Sequence, residues 1–342
     1  MRTNGYNGHN GNGTNGEPMT FALIGCGRIS QLHLQVLQKE VRAKLVAVAD
    51  TDTKAAHGAA EAFGVRAFDD PLEMLQSVKP QAVIICTPPN THRALAEAAL
   101  ASGAHVLCEK PLALSVEDAQ AMLQAADEAG RLLMMASKFR FVQDIVRAKG
   151  IVQSGILGEI ILFENEFCSH VDMKPRWNSD PAVGGGGVLI DNGSHSVDIF
   201  RYLIGPIENL QAVFGKQWQK IDVEDTCYLH LRSADGTVGC IDLSWSIHKE
   251  APFFLRIFGT EGTLEVGWKT SRYRQSAKLD WVSFGNGYDK FQAVGAQLAN
   301  FIDSIGGKAM PIINEEDALE SVRVIQCAYN TSRQNRWEEV EA

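Results

Sequence analysis

The sequence predicts an α/β protein in two parts: a doubly wound parallel sheet, then an α/β domain on a large, mostly antiparallel open sheet. Two observations lead there. Between residues 20 and 137, short Val/Ile/Leu/Ala runs alternate with helical patterns, the signature of parallel strands covered on both faces and joined by right-handed crossovers. After residue 139 the rhythm changes to long period-2 segments with glycine turns, as a sheet with one covered face requires.

In chain order, TFALIG, KLVAVAD, VRAF, QAVIICT, AHVLCE and RLLMMAS read as the strands of the first part, with helices between them. VQDIVRAKGIVQSG reads as a helix. EIILFENEF, ENLQAVFGKQW, DTCYLHLRS, TVGCIDLSWSI and the FFLRIFGTEGTLEVG hairpin read as strands, followed by closing helices at 288–305 and 315–333. The expected organisation is a tail at 1–18, a dinucleotide-binding domain at 19–138 and a substrate-binding and oligomerisation domain at 139–342. The tail, two-thirds Asn, Gly and Thr, lacks the apolar run of a signal or anchor and is expected to be disordered.

Composition narrows the function classes. A formal charge of −9, without a basic tract, gives no reason to expect nucleic acid, and no stretch reaches transmembrane length. Seven scattered cysteines without a CxxC pair argue against a disulfide framework or structural zinc, and fit a reducing cytoplasm. The expected partner is a small molecule.

GCGRIS sits where the first strand meets the first helix. There Gly25, Gly27, Arg28 and Ile29 would close the backbone on a pyrophosphate at the helix N-terminus. Ser30 replaces the third glycine of that fingerprint. Asp50 ends the second strand, where its carboxylate would accept from the ribose hydroxyls and repel a 2′-phosphate, which selects NAD over NADP. Lys54 and Arg28 are the nearby cations that could reverse that choice. Two more loops follow strand ends on the same sheet edge: CTPPNTH, with Thr87, Pro88, Asn90 and His92, and CEKPL, with Glu109 and Lys110. His92 is assigned to helix entry or the cofactor edge.

The stretch GGGGVLIDNGSHSVD places Asp191 and His195 one helical turn apart, with Asp198 a further turn along. This spacing suits a proton relay and equally suits a helix N-terminus with a surface histidine. Further residues are weighed: Arg176 and Trp177 as a cation and stacking face for substrate or as loop packing, Asn192 as a substrate contact or a cap, and Arg140 as within reach of the cleft. Cys168, His170 and Asp172 alternate as one strand face would and mimic a metal set. They are taken as structural, with no metal expected.

GCGRIS, VADTD, TPPNTH, CEKPLALS and the glycine run before DNGSHSVD, in this order and spacing, resemble the Gfo/Idh/MocA (glucose-fructose oxidoreductase / inositol dehydrogenase) family. FGTEGTLEV and the final helix extend the likeness from Met19 along nearly the whole chain. The resemblance implies a Rossmann domain, a C-terminal domain whose open sheet commonly mediates oligomerisation, and NAD(P)-dependent oxidation or reduction of a sugar or cyclitol hydroxyl. It also implies Lys110, Asp191 and His195 as the catalytic group and a cis Lys110-Pro111 bond.

The chemistry of the residues agrees. Hydride transfer from a secondary alcohol requires the hydroxyl proton to leave, and His195 is the base expected to accept it. Asp191 would orient that ring or bind a neighbouring hydroxyl, and Lys110 would stabilise the alkoxide. The four glycines at 184–187 would let the chain pass close to cofactor and substrate. Lys110, Asp191, Asn192 and His195, with Arg176 and Trp177, form the expected substrate site. The alternatives are a non-catalytic dinucleotide-binding regulator of the same fold, or a transhydrogenase with tightly held NAD. A homodimer or homotetramer is expected, covering an apolar face such as that of TVGCIDLSWSI.

Overall fold

The protein, seen as a computed structural model, is described over residues 17–334 and 338–340. The expected tail lies outside the described residues except for Glu17 and Pro18, which are exposed coil. The first sheet comprises β1 (Met19–Ile24), β2 (Ala43–Ala49), β3 (Arg66–Phe68), β4 (Ala82–Ile85), β5 (His105–Glu109) and β6 (Leu133–Ala136). Their spatial order is β3-β2-β1-β4-β5-β6, and every pair is parallel. All four residues of β4 are buried, as its unbroken apolar run requires.

Helices α1 (Ser30–Lys39), α2 (Thr53–Phe63), α3 (Pro71–Val78), α4 (His92–Ala101) and α5 (Val116–Ala129) alternate with these strands. Their ends are written locally. Asp52, Asp70 and Ser115 accept backbone N–H bonds as N-caps, and Gly64 and Gly130 close α2 and α5 with left-handed backbones. The strand order reverses at β1/β4, the switch point beyond which open α/β sheets bind ligands.

The second part opens with α6 (Gln143–Gln153), β7 (Ile160–Cys168), a short α7 (Pro181–Gly184) and α8 (Ser194–Leu203). Strands β8 (Ile207–Phe214), β9 (Thr226–Ser233), β10 (Val238–Ser244), β11 (Phe253–Gly259), β12 (Gly262–Gly267), β13 (Ser271–Gln275) and β14 (Lys278–Gly285) follow. Helices α9 (Lys290–Ile305) and α10 (Glu315–Gln334) and the edge strand β15 (Glu338–Glu339) complete the chain. The nine-stranded sheet runs β14-β13-β12-β11-β7-β10-β9-β8-β15, antiparallel except for β7/β10. Its inner face buries Phe163, Leu229, Leu231, Ile241 and Leu243, and Phe200 of α8 meets Phe163 edge to face at 5.0 Å.

Two expectations are corrected, and one hairpin is added to the expected strands: β13–β14, where SRYRQ carries two arginines on one face. Those guanidiniums stack on Trp281 at 4.1 Å (Arg272) and 4.8 Å (Arg274), so the exposed hairpin is covered by cations rather than by an apolar core.

The outer sheet face is mixed rather than apolar: Val213, Tyr228 and Val238 are exposed on it beside a row of polar and charged positions. Ile241, Leu243 and Trp245 of TVGCIDLSWSI point into the core. Neighbouring outer positions across the strands are Gln211, His230, Cys240, Glu164, Arg256, Glu265 and Arg272, largely a charge ladder. Period 2 identifies the two faces of a strand but not which one meets the core.

The four glycines do not make room for a ligand. A Cβ at Gly186 would overlap the Tyr329 hydroxyl, and one at Gly187 would overlap the backbone of Glu224. Both neighbours are brought up by distant parts of the second domain.

Candidate active site

A cleft of about 710 Å³ opens where the C-terminal ends of β1, β4, β5 and β6 face β7 and the start of α8. Gly27, Arg28, Ile29, Thr87, Glu109 and Lys110 line its first-sheet side. Gly25, at φ 93°, lies so close to the backbone of Cys86 and Thr87 that any Cβ would collide. The turn therefore requires glycine for both its conformation and its close approach. Beyond it, α1 starts without a side-chain cap, so its first amides remain for an anion. The Asp50 carboxylate accepts from Cys26 N–H at 2.6 Å and from Asp52 N–H at 2.8 Å, which fixes it at the tip of β2. These features fit a dinucleotide: a close-backbone turn, an open helix start and an acid at the second strand.

Pro88 leads a 3-10 turn at Pro89–Thr91, and the Asn90 amide is directed at the Ala182 carbonyl, 3.5 Å away. His92 opens α4, as its helix-entry assignment has it, and the cofactor-contact assignment is corrected. The ring is wholly buried, with Nδ1 3.0 Å from the Pro111 carbonyl and Nε2 2.9 Å from that of Thr87. It ties the TPPNTH and CEKPL loops together from behind the cleft. The Lys110-Pro111 peptide is cis.

On the second-domain side, residues Leu189–Gly193 form a π turn that runs directly into α8 and presents Asp191, Asn192 and His195 to the cleft. Glu224 explains why the turn forms there. Its carboxylate accepts from Gly187 N–H (3.0 Å), Leu189 N–H (3.0 Å) and the Tyr329 hydroxyl (2.7 Å), satisfying the amides that begin the turn. Lys110 Nζ donates to Asp191 Oδ1 at 2.5 Å and to the Asp191 carbonyl at 2.9 Å. The relay drawn from spacing is therefore corrected in one respect. The His195 ring meets Lys138, whose Nζ is 2.9 Å from Nε2, rather than Asp191. Burial, then Lys138, Lys110 and Lys290, push His195 well below the usual histidine range, so the ring is neutral.

Lys138 follows the end of β6, as Thr87 follows β4 and Lys110 follows β5. The strand-end rule that singled out those two also points to Lys138, whereas the sequence reading took Arg140. Arg140 turns away from the cleft into a buried network: Nε donates to Asp198 at 2.8 Å, and the two terminal nitrogens to Asp317 at 2.7 and 2.9 Å. Burial pulls Lys138 down to about 7, aided by Lys110 and opposed by Glu109. Glu109 is held by buried His33 at 2.8 Å. Burial would raise the Glu109 carboxyl, but His33, Lys138 and Lys110 outweigh it and the net shift is downward.

Five aromatic side chains sit beside His195. Phe139 meets the imidazole edge to face at 4.9 Å and stacks on Tyr288 at 5.2 Å, with Phe167, Phe254 and Trp268 behind. No local pattern marks them, because they come from separate strands and loops. Trp177 lines the cleft and is half exposed, and Asn192 Nδ2 points at the Phe167 carbonyl, 3.4 Å away. Arg176 feels both Arg28 and Asp191: burial and Arg28 lower its pKa, and Asp191 opposes. Cys168, His170 and Asp172 go separate ways, to the Asp242 carbonyl, a stack on His248 and the Lys174 N–H. A second groove, about 700 Å³, opens behind Gly185 and Gly186; Lys110, Asp191 and His195 do not line it.

Residues 19–137 match the Gfo/Idh/MocA oxidoreductase family with its NAD-binding Rossmann fold, and residues 145–265 match the Gfo/Idh/MocA C-terminal domain. A D-apiose dehydrogenase of Rhizobium rhizogenes is 31% identical over 72% of this chain and 72% of its own. The chain belongs to the Gfo/Idh/MocA family. A second relative, D-apiose dehydrogenase of Paraburkholderia graminis, is 27% identical over 94% of this chain and 89% of its own. The WlbA dehydrogenase from Bordetella pertussis, solved with NADH and UDP-GlcNAcA, superposes with a TM-score of 0.84 at 25% identity, over 96% of this chain and 99% of that one. For this Gfo/Idh/MocA protein the family fold and the cleft coincide: the glycine turn, Lys110 and the π turn all converge on it.

The placement of Asp50 carries a testable consequence for this family member. Replacing Asp50 with Ser removes the charge that repels a 2′-phosphate. The ratio of kcat/KM for NAD over NADP is expected to fall by about tenfold to a hundredfold, as loss of a like-charge contact predicts. An unchanged ratio would remove Asp50 from cofactor choice.

Proposed function

We propose that this chain is an NAD-dependent oxidoreductase that moves hydride between a secondary hydroxyl of a sugar, nucleotide-sugar or cyclitol and the nicotinamide. The observation that carries the reading is the Lys110–Asp191 pair (2.5 Å) facing the cleft together with His195, at the C-terminal edge of the glycine-turn sheet. The relatives support it: two are D-apiose dehydrogenases and one was solved with NADH and a nucleotide sugar.

Gly25, Gly27 and the start of α1 would hold the pyrophosphate, and Asp50 the ribose. When bound, the cofactor supplies the hydride acceptor. Lys110, oriented by Asp191, donates to the substrate oxygen and stabilises the charge that develops there. The hydroxyl proton leaves toward the His195 side of the cleft. Trp177 and Asn192 are assigned to substrate positioning, with Arg176 at the rim. The aromatic wall excludes water and offers apolar faces to the substrate's carbon skeleton.

Among the described residues no helix is long and apolar enough to cross a membrane. Cys26, Cys86, Cys108, Cys168, Cys227 and Cys240 form no disulfide among the described residues, which supports a reducing compartment, the cytoplasm. The uncovered outer face of the nine-stranded sheet, with exposed Val213, Tyr228 and Val238 beside a charged row, supports a homodimer or homotetramer built on that face.

A panel of free sugars, sugar phosphates, nucleotide sugars and inositols incubated with NAD tests the function. NADH absorbance should rise with a member of at least one class. No turnover across the panel in either direction would overturn the reading.

A further inference from the structure

We propose that the substrate carries an anionic group, a carboxylate or a phosphate monoester, and that Lys138 and Lys290 bind it. This rests on the dehydrogenase reading above and narrows its substrate class. The whole chain carries −9, yet the cleft is cationic. Arg28, Lys110, Lys138 and Lys290 line it, against Glu109 and Asp191. Both acids already have partners: His33 is 2.8 Å from Glu109, and Lys110 is 2.5 Å from Asp191. Arg28 belongs to the glycine turn, where the cofactor pyrophosphate would take it. Lys138 and Lys290 are left, and among the described residues neither makes a salt bridge.

The two lysines come from distant parts of the chain to one part of the cleft. Lys138 follows β6 and Lys290 opens α9. The Lys138 amine lies 5.0 Å over the Phe139 ring, and that ring stacks at 5.2 Å on Tyr288, two residues before Lys290. Asp289, next to Lys290, is turned to cap α9, where it accepts from Gln292 N–H at 3.0 Å. A carboxylate or phosphate has several oxygens and can accept from both ammoniums at once. A neutral sugar has nothing to offset their charge. Lys138 also touches His195 at 2.9 Å, so the anionic group belongs to the sugar itself, close to the reacting carbon. His195 keeps its place beside the hydroxyl as the acceptor of its proton.

The electrostatics of the empty cleft agree. Burial, then Lys110 and Lys290, pull Lys138 down to about 7, and Glu109 and Asp191 oppose them only in part. An anion placed between the lysines reverses that shift and holds Lys138 as an ammonium. Binding of an acid should therefore take up a proton when the pH lies above about 7, and should weaken as the pH rises further.

The test is a binding measurement on the NADH complex by titration calorimetry, which needs no turnover. The probes are D-glucuronate, D-gluconate and D-glucose 6-phosphate, with D-glucose and D-glucitol as neutral counterparts. The carboxylate and phosphate arms show which anion fits. At least one acid should bind ~10- to 100-fold more tightly than its neutral counterpart, the span of one charge-assisted hydrogen bond. If none does, the proposal falls.

Lys290→Met and Lys138→Met should each shrink that preference by a similar factor, while NADH affinity read by fluorescence stays within about twofold. A merely structural role would weaken acid and neutral sugar alike and leave their ratio unchanged, and that result overturns the proposal. Loss of NADH affinity with the ratio intact overturns it too, because the lysines then serve the cofactor. A protein that binds an acid selectively but oxidises nothing in the panel counts against the reaction assigned above and not against the anion site.

Discussion

Lys110→Met is expected to lower turnover by ~10²- to 10³-fold, the cost of removing one preorganised donor from a developing oxyanion, with NAD affinity nearly unchanged. The side chain reaches across the cleft from β5 to the π turn and is held there by two contacts with Asp191. Its remaining N–H is free to meet the substrate oxygen, at a cost in orientation that folding has already met. In the variant, Asp191 loses its cation and faces the alkoxide as a bare carboxylate, so repulsion replaces attraction. Asp191→Asn should fall between wild type and Lys110→Met, since it loosens Lys110 without removing the charge. Stopped-flow measurement of the hydride step checks both. A drop of less than about tenfold for Lys110→Met would place the oxyanion donor elsewhere.

Arg140→Met should be the most destabilising single change in the second domain. The guanidinium is 3% exposed and joins Asp198 of α8, Asp317 of α10 and the Ile312 carbonyl. Ser137 adds a 2.6 Å bond to Asp198. Removing the cation leaves the buried Asp198 with only the Ser137 hydroxyl, while Asp317 keeps Arg201 at 3.9 Å, and breaking such a buried pair costs about 3–5 kcal/mol. For a chain of this size that lowers Tm by roughly 4–7 °C. Burial raises the Asp198 carboxyl and Arg140 opposes it, so in the variant the group escapes part of the penalty by taking up a proton. Arg140→Lys should recover part of the loss, because an ammonium keeps the charge but cannot span both acids in one plane. Thermal unfolding of the three proteins tests this, and an unchanged Tm in Arg140→Met would show that the network contributes nothing net.

These two residues show what was legible. Lys110 was found because it follows a strand end in a recognisable loop on the ligand edge. Arg140, in FRF just after another strand end, looked equivalent and is not. At the residue after a strand the backbone still aims into the cleft, but three residues on the chain has turned, and the acids of α8 and α10 capture the side chain. His92 opens α4, as one of its two assignments has it, but its ring faces loop carbonyls and not the cofactor edge: a polar residue in a cofactor loop can face either the ligand or the carbonyls that shape the loop.

The sequence by itself determined the doubly wound sheet, the glycine turn, the acid at the second strand and the two-part architecture. Period, caps and turn chemistry are properties of neighbouring residues, and they need no distant contact to be expressed. It also placed Asp191 and His195 on one face, since four residues span one helical turn.

Only the tertiary structure decided what those side chains touch. The Lys110–Asp191 bond closes across 81 residues and the Lys138–His195 bond across 57. The glycines at 186 and 187 answer to Tyr329 and Glu224, one in the last helix and the other in a loop before β9. Which partner a polar side chain finds, and whether burial leaves it charged, depends on how two sheets and their helices pack. No local pattern carries that information.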